Sequence, residues 1–106
     1  MPSRKYKIQT SHRADRMMLL HVEFLSRVSI SAARRLIASF KKTESLIASN
    51  PLIFPFADDL DAPDMPLNTY RKCIVDNRYK MIFSVEETDV YIDAVIDCRQ
   101  ENAKMY

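Results

Sequence analysis

Polar and apolar residues alternate along Lys5-Tyr6-Lys7-Ile8-Gln9-Thr10, with Tyr6 and Ile8 on one side and Lys5, Lys7 and Gln9 on the other. A period of two predicts a half-buried strand. Thr10 and Ser11 follow as candidate N-cap oxygens. From His12 to about Arg27 the period changes. Ala14, Met17, Met18, His21, Phe24, Leu25 and Val28 recur at three- and four-residue steps, and Leu20 and Val22 widen the stripe. That rhythm predicts an amphipathic helix. Ser29-Ile30-Ser31 interrupts it with two further candidate caps. A second helix is predicted to about Ala48. Ala33, Leu36, Ile37, Phe40, Leu46 and Ile47 form its inner face; Arg34, Arg35, Lys41, Lys42 and Glu44 lie mostly outside. Asn50-Pro51 stops it, because proline disfavours helical conformation in the residue before it. Helices joined by so short a break form an antiparallel hairpin.

Residues 51–68 carry prolines at 51, 55, 63 and 66 and acids at 58, 59, 61 and 64. An ordered or partly ordered loop is expected, with Leu52, Ile53, Phe54 and Phe56 tucked back onto the domain. The last third returns to a period of two. Tyr70–Val75 is one strand and Asp76-Asn77 its turn. Tyr79–Val85 follows, with Tyr79, Met81, Phe83 and Val85 opposed to Lys80, Ile82 and Ser84. After a turn at Glu86–Asp89 comes Val90–Cys98, with Val90, Ile92, Ala94, Ile96 and Cys98 opposed to Tyr91, Asp93, Val95, Asp97 and Arg99. Short turns between consecutive strands imply an antiparallel meander. The fold class is therefore α+β, in the order β-α-α-β-β-β. The helical hairpin packs on one face of a small, mostly antiparallel sheet, because both have apolar stripes to bury. Alternation sends Lys5, Lys7, Lys72, Lys80 and Arg99 to the opposite face, mixed with Asp93 and Asp97. The length fits a single domain over residues 1–106.

Composition narrows the chemistry. Among 106 residues there is no glycine, where average usage predicts about seven. Phosphate-binding and dinucleotide-binding glycine loops, nucleophile elbows and EF-hand loops are thereby excluded in standard form. Turns that need positive φ must use other residues, and Asn77 is expected to be one of them. Residues 1–50 hold ten Lys/Arg against three Asp/Glu; residues 51–106 hold six against eleven. The basic half points to an anionic partner, nucleic acid or acidic protein, or to a solvated helix face. No apolar run approaches the ~20 residues of a membrane span. The polar stretch Met1–Thr10 predicts no signal peptide, so Cys73 and Cys98 are expected as reduced thiols in the cytoplasm. His21 lies among core positions and is expected as a packed or edge histidine. The cluster Asp58-Asp59-Leu60-Asp61 lacks the spacing and glycine of a calcium loop, so no metal is expected.

Several stretches together carry a family likeness: Tyr6-Lys7-Ile8; Ser11-His12-Arg13-Ala14-Asp15 opening a helix; Asn50-Pro51 closing the hairpin; and Tyr70-Arg71-Lys72-Cys73-Ile74-Val75 followed by Arg78-Tyr79-Lys80-Met81-Ile82-Phe83. Val90–Ile96 with Asp97-Cys98-Arg99-Gln100 completes it. In these residues and in element order the chain resembles the RelE/ParE superfamily of bacterial type II toxins. The resemblance implies a toxin neutralised by a cognate antitoxin, without metal or other cofactor. RelE-like members cut mRNA in the ribosomal A site; ParE-like members poison DNA gyrase. Ribosome-dependent mRNA cleavage is the first expectation, gyrase inhibition the alternative, and an inactive partner-binding member the third. For cleavage the resemblance assigns Lys72 and Lys80 to holding or activating phosphate. Arg78 and Arg99 become cations near the sheet edge, and Tyr106 stacks on a base. Arg99 serves equally well in an ion pair with Asp97 or Glu101. The strand 71–75 lacks the dense basic cluster of strongly active RelE members, and no histidine lies near the C-terminus. Exposed sheet edges leave strand addition by a partner, or a homo-oligomer, open.

Overall fold

The computed structural model describes residues 6–58, 66 and 68–98. Arg99, Tyr106, Lys5 and most of the acidic cluster after Asp58 lie outside the described residues. Strand β1 (Lys7–Thr10) leads directly into helix α1 (His12–Ser26). Ser11 makes that junction: its backbone is extended, and its hydroxyl accepts from the Ala14 N–H at 2.9 Å. Ser29 does the same for helix α2 (Ile30–Ser49), accepting from Ala32 at 3.1 Å. Each satisfies one of the N–H groups a helix start leaves orphaned. Asn50-Pro51 ends α2, and Pro51 opens a single 3-10 turn, Pro51–Ile53. Strands β2 (Tyr70–Val75), β3 (Tyr79–Glu86) and β4 (Asp89–Asp97) complete the chain.

The strands form one sheet in the order β1-β4-β3-β2. β1 runs parallel to β4, and the other pairings are antiparallel. The α+β, mostly antiparallel arrangement is thus present as expected. Helices α1 and α2 cover one face. Leu36, Phe40 and Ile47 of α2 meet Val75, Tyr79, Met81, Phe83, Val90, Ile92 and Val95 of the sheet in a single buried cluster.

The helix stripes prove narrower than their sequence pattern. In α1 only Ala14 is buried, while Met17, Met18, His21, Val22 and Leu25 are half-buried. Leu20, Phe24 and Val28 face outward, as do Ile37 and Leu46 of α2. A four-stranded sheet presents less surface than two fully apolar helix faces would need. In the segment after α2, Phe54 packs edge-on against Phe83 at a centroid distance of 5.9 Å. Leu52, Ile53 and Phe56 remain exposed. Phe56 instead carries the Arg71 guanidinium 4.0 Å above its ring. Pro55–Ala57 runs beside β2, donating from Ala57 N to Tyr70 O and accepting at Pro55 O from Lys72 N.

One expectation about β4 is overturned. The register passes from Ile82↔Ala94 to Phe83↔Ile92, which leaves Asp93 as an extra residue opposite β3. A bulge of this kind inverts the alternation beyond it. Val90 and Ile92 face the helices as predicted, but so do Val95 and Asp97, the latter opposite Tyr79. Ala94 packs with Ile82 and Ile96 on the other face. The half of β4 beyond β1 is closed by α1 instead of a strand. Ser11 Oγ donates to Asp93 O at 3.1 Å, and His21 Nε2 bonds Val95 O at 2.9 Å. A carbonyl can only accept, so that imidazole nitrogen carries the proton. His21 is the edge histidine its position suggested.

Asp76 and Asn77 both adopt positive φ, 54° and 56°. The Arg78 N–H closes the turn on Val75 O at 3.1 Å, the type I′ pattern that suits hairpins. Without glycine, Asn68 and Glu87 also adopt positive φ. Glu87 is the one unsuited to it, having no short side chain to bond locally. Glu87→Gly is expected to stabilise the protein by about 1 kcal/mol, read as a rise of about 5 °C in a thermal melt. An unchanged or lowered midpoint would show that the glutamate is not strained there.

Candidate functional site

The face of the sheet turned away from the helices is organised in cross-strand rows. One row reads Gln9, Tyr91, Ser84, Tyr70 across all four strands. The next reads Ala94, Ile82, Lys72, and the last Ile96, Lys80, Ile74. Lys72 and Lys80 are therefore diagonal neighbours on β2 and β3, a relation that places such residues about 7–8 Å apart. They are the two proposed phosphate-holding residues that the fold brings together. Lys72 is half-buried, and Lys80 lies between two isoleucines with only 7% of its surface exposed. Both have interactions of their own.

Arg78 belongs elsewhere. It stands between the turn and β3, and its Nη2 donates to Asp97 Oδ2 at 3.2 Å. The carboxylate side chain is only 7% exposed and the guanidinium 21%. The guanidinium carbon also lies 5.1 Å from the centre of the Tyr79 ring, within cation–π reach. Tyr79 in turn touches His21 at 4.8 Å and Phe40 at 5.8 Å between centroids. Arg78 thus anchors the hairpin end of the sheet to its core. The bulge makes this possible by turning Asp97 toward the helix side. Arg99 and Tyr106, the remaining two candidates, lie outside the described residues.

Burial raises the thiol pKa of Cys73, which keeps it neutral and suits a residue filling the core. Two concave regions stand out. One, about 290 Å³, runs between the helices along Met18, Leu19, Val22, Ile37 and Phe40. Glu44 closes it; its carboxyl pKa is raised by burial and then by Asp15, with Lys41 opposing. The other, about 340 Å³, lies over the row of Tyr70, Ser84, Tyr91 and Gln9, with Asp93 beside it. Sequence reasoning did not single out this row. Turn positions hold part of the signal: a hairpin centred on Glu87-Thr88 sets Ser84 opposite Tyr91, whereas Tyr70 comes opposite Ser84 only because the loop 76–78 has three residues and pairs Val75 with Tyr79.

Order, pairing and rows together define an α+β sheet with a helical hairpin on one face and a partly basic open face on the other. No family model and no curated protein matches the sequence. Among solved structures a chain described as "Chromosomal ParDE TA system from P. aeruginosa" is similar, with a TM-score of 0.68. The match covers 88% of this chain and 96% of that one at 8% sequence identity. The protein therefore has the ParE-like fold that its RelE/ParE resemblance implied. No helix among the described residues is long and apolar enough to cross a membrane.

Proposed function

We propose that this protein is the toxin of a type II toxin–antitoxin pair, and that it acts by binding DNA gyrase and not by cutting mRNA. The observation that carries the choice is the Arg78–Asp97 ion pair. Cleaving RNA requires several cations preorganised where charge develops on the phosphate. Arg78, a candidate for that work, is closed on a buried carboxylate, and Asp93 adds negative charge beside the open face. The fold shared with a chain of a ParDE system supports the same reading, and a cognate antitoxin is its natural partner. Purified protein is expected to block gyrase supercoiling and accumulate cleaved gyrase–DNA complexes, while mRNA in a cell-free translation reaction stays intact. Growth arrest on expression should be relieved by co-expressing a short acidic protein encoded in the adjacent reading frame.

A second reading, ribosome-dependent mRNA cleavage, draws on the diagonal placement of Lys72 and Lys80 on one face. Message cleavage that vanishes in Lys72→Ala, with gyrase unaffected, would decide for it and against the first.

A further inference from the structure

The cavity over the open face has two aromatic walls and a small residue between them. Tyr70 and Tyr91 stand on strands two sheet spacings apart, about 9.5 Å, with Ser84 in the intervening position. A cationic group midway across that interval lies about 4.7 Å from each, inside the ~6 Å over which an aromatic ring attracts a cation. The cavity itself measures about 340 Å³, and Gln9 and Asp93 supply polar atoms at its side.

The rim decides what charge such an occupant carries. Glu86 and Asp89 are paired across β3 and β4 one row from Tyr91, and Glu87 follows in the turn. Asp93 stands half-buried on the other side. Against these four carboxylates stand Lys7, beside Asp89, Arg13, near Asp93, and Lys72, one row from Tyr70 on the far wall. The Tyr91 hydroxyl senses the field: its pKa is raised by lost hydration first, then by Asp89, Glu86 and Glu87. On the Tyr91 side, where the carboxylates gather, a phosphate-bearing ligand meets repulsion, and an uncharged ring gains nothing from them. A guanidinium answers both features, being planar, cationic, weakly hydrated and suited to stacking on aromatic faces. The Arg13–Asp93 contact is 3.7 Å long, against about 2.8 Å for a charge-assisted hydrogen bond. A better-placed donor can therefore engage the same carboxylate.

We propose that this cavity receives an arginine side chain of a partner protein, held between Tyr70 and Tyr91 with Asp93 accepting from its guanidinium. The site stands whether the protein acts on gyrase or on mRNA.

The test titrates the full-length chain, followed by its backbone amide NMR signals, with N-acetyl-arginine amide. The matching citrulline and lysine derivatives and adenosine monophosphate serve as comparison probes. Arginine is expected to shift the signals of Ser84, Tyr91 and Asp93 and to bind about tenfold more tightly than citrulline or lysine. Tyr91→Ala should weaken it by about tenfold, while Tyr91→Phe keeps it, because the ring face supplies the attraction. Asp93→Asn should also weaken it, and serves if Tyr91→Ala does not fold. Equal binding of citrulline, tighter binding of the nucleotide, no response to arginine, or binding untouched in both Tyr91→Ala and Asp93→Asn would each overturn the proposal.

Discussion

Phe83→Ala is expected to cost about 4 kcal/mol, the largest single loss in the molecule. Phe83 has no exposed surface and lies in β3, flanked by β2 and β4. Its ring is the edge-to-face partner of Phe54, so removing it also loosens the chain that follows α2. An internal strand held on both sides by hydrogen bonds cannot collapse into the void. Small domains are stable by about 5–15 kcal/mol in total, so the variant should unfold at a much lower urea concentration. Phe83→Leu, which keeps most of the volume, should lose less than half as much. Near-equal midpoints for wild type and Phe83→Ala would refute the central place given to this ring.

Arg78→Ala is expected to cost about 3 kcal/mol, because it takes from a buried carboxylate the cation that faces it. Asp97→Asn should cost less. Arg78 retains some exposure and can turn toward water, whereas Asp97 is 6% exposed and cannot. A double-mutant cycle by urea denaturation checks the pairing. The doubly substituted chain should lose at least about 1 kcal/mol less than the sum of the single losses. Strict additivity would show that the two groups do not stabilise one another. This bears directly on functional assays. Loss of toxicity in Arg78→Ala reports catalysis only if the variant is still folded at the assay temperature.

Much of the architecture was legible because local chemistry and global fold agree. Ser11 and Ser29 cap the helices they precede, and Asn50-Pro51 stops the second. The strand 70–75 and its Asp76-Asn77 turn stand where alternation and turn propensity put them, with Asn77 at positive φ as expected. The bulge was not legible. The apparent alternation from Val90 to Cys98 runs through Asp93 without a break. Only pairing with β3 reveals the extra residue. The candidate site inherited that error. Unbroken alternation puts Asp97 on the open face, whereas its partnership with Arg78 joins residues 19 apart across a shifted register. The positive φ at Glu87 was hidden for another reason: glutamate carries no propensity for it, and a tight two-residue turn imposes it. The exposed Phe24, Val28 and Leu46 show a limit of periodicity, which marks an apolar face without saying whether the sheet is wide enough to cover it.

The same bulge has a consequence for how the β3–β4 hairpin finds its partner strand during folding. In an ordinary hairpin, a slip by one residue turns a whole strand over, and a slip by two restores its faces at the wrong depth. Here Val90 and Ile92 obey one phase and Val95 and Asp97 the other. Rotating the strand to suit either half misplaces the remainder. Sliding it by two residues carries the inversion away from the point where Ser11 meets Asp93 O. The extra residue therefore acts as a notch in a key: of the many alignments two β-rich segments can sample, one seats both halves, and the misaligned ones gain too little burial to persist.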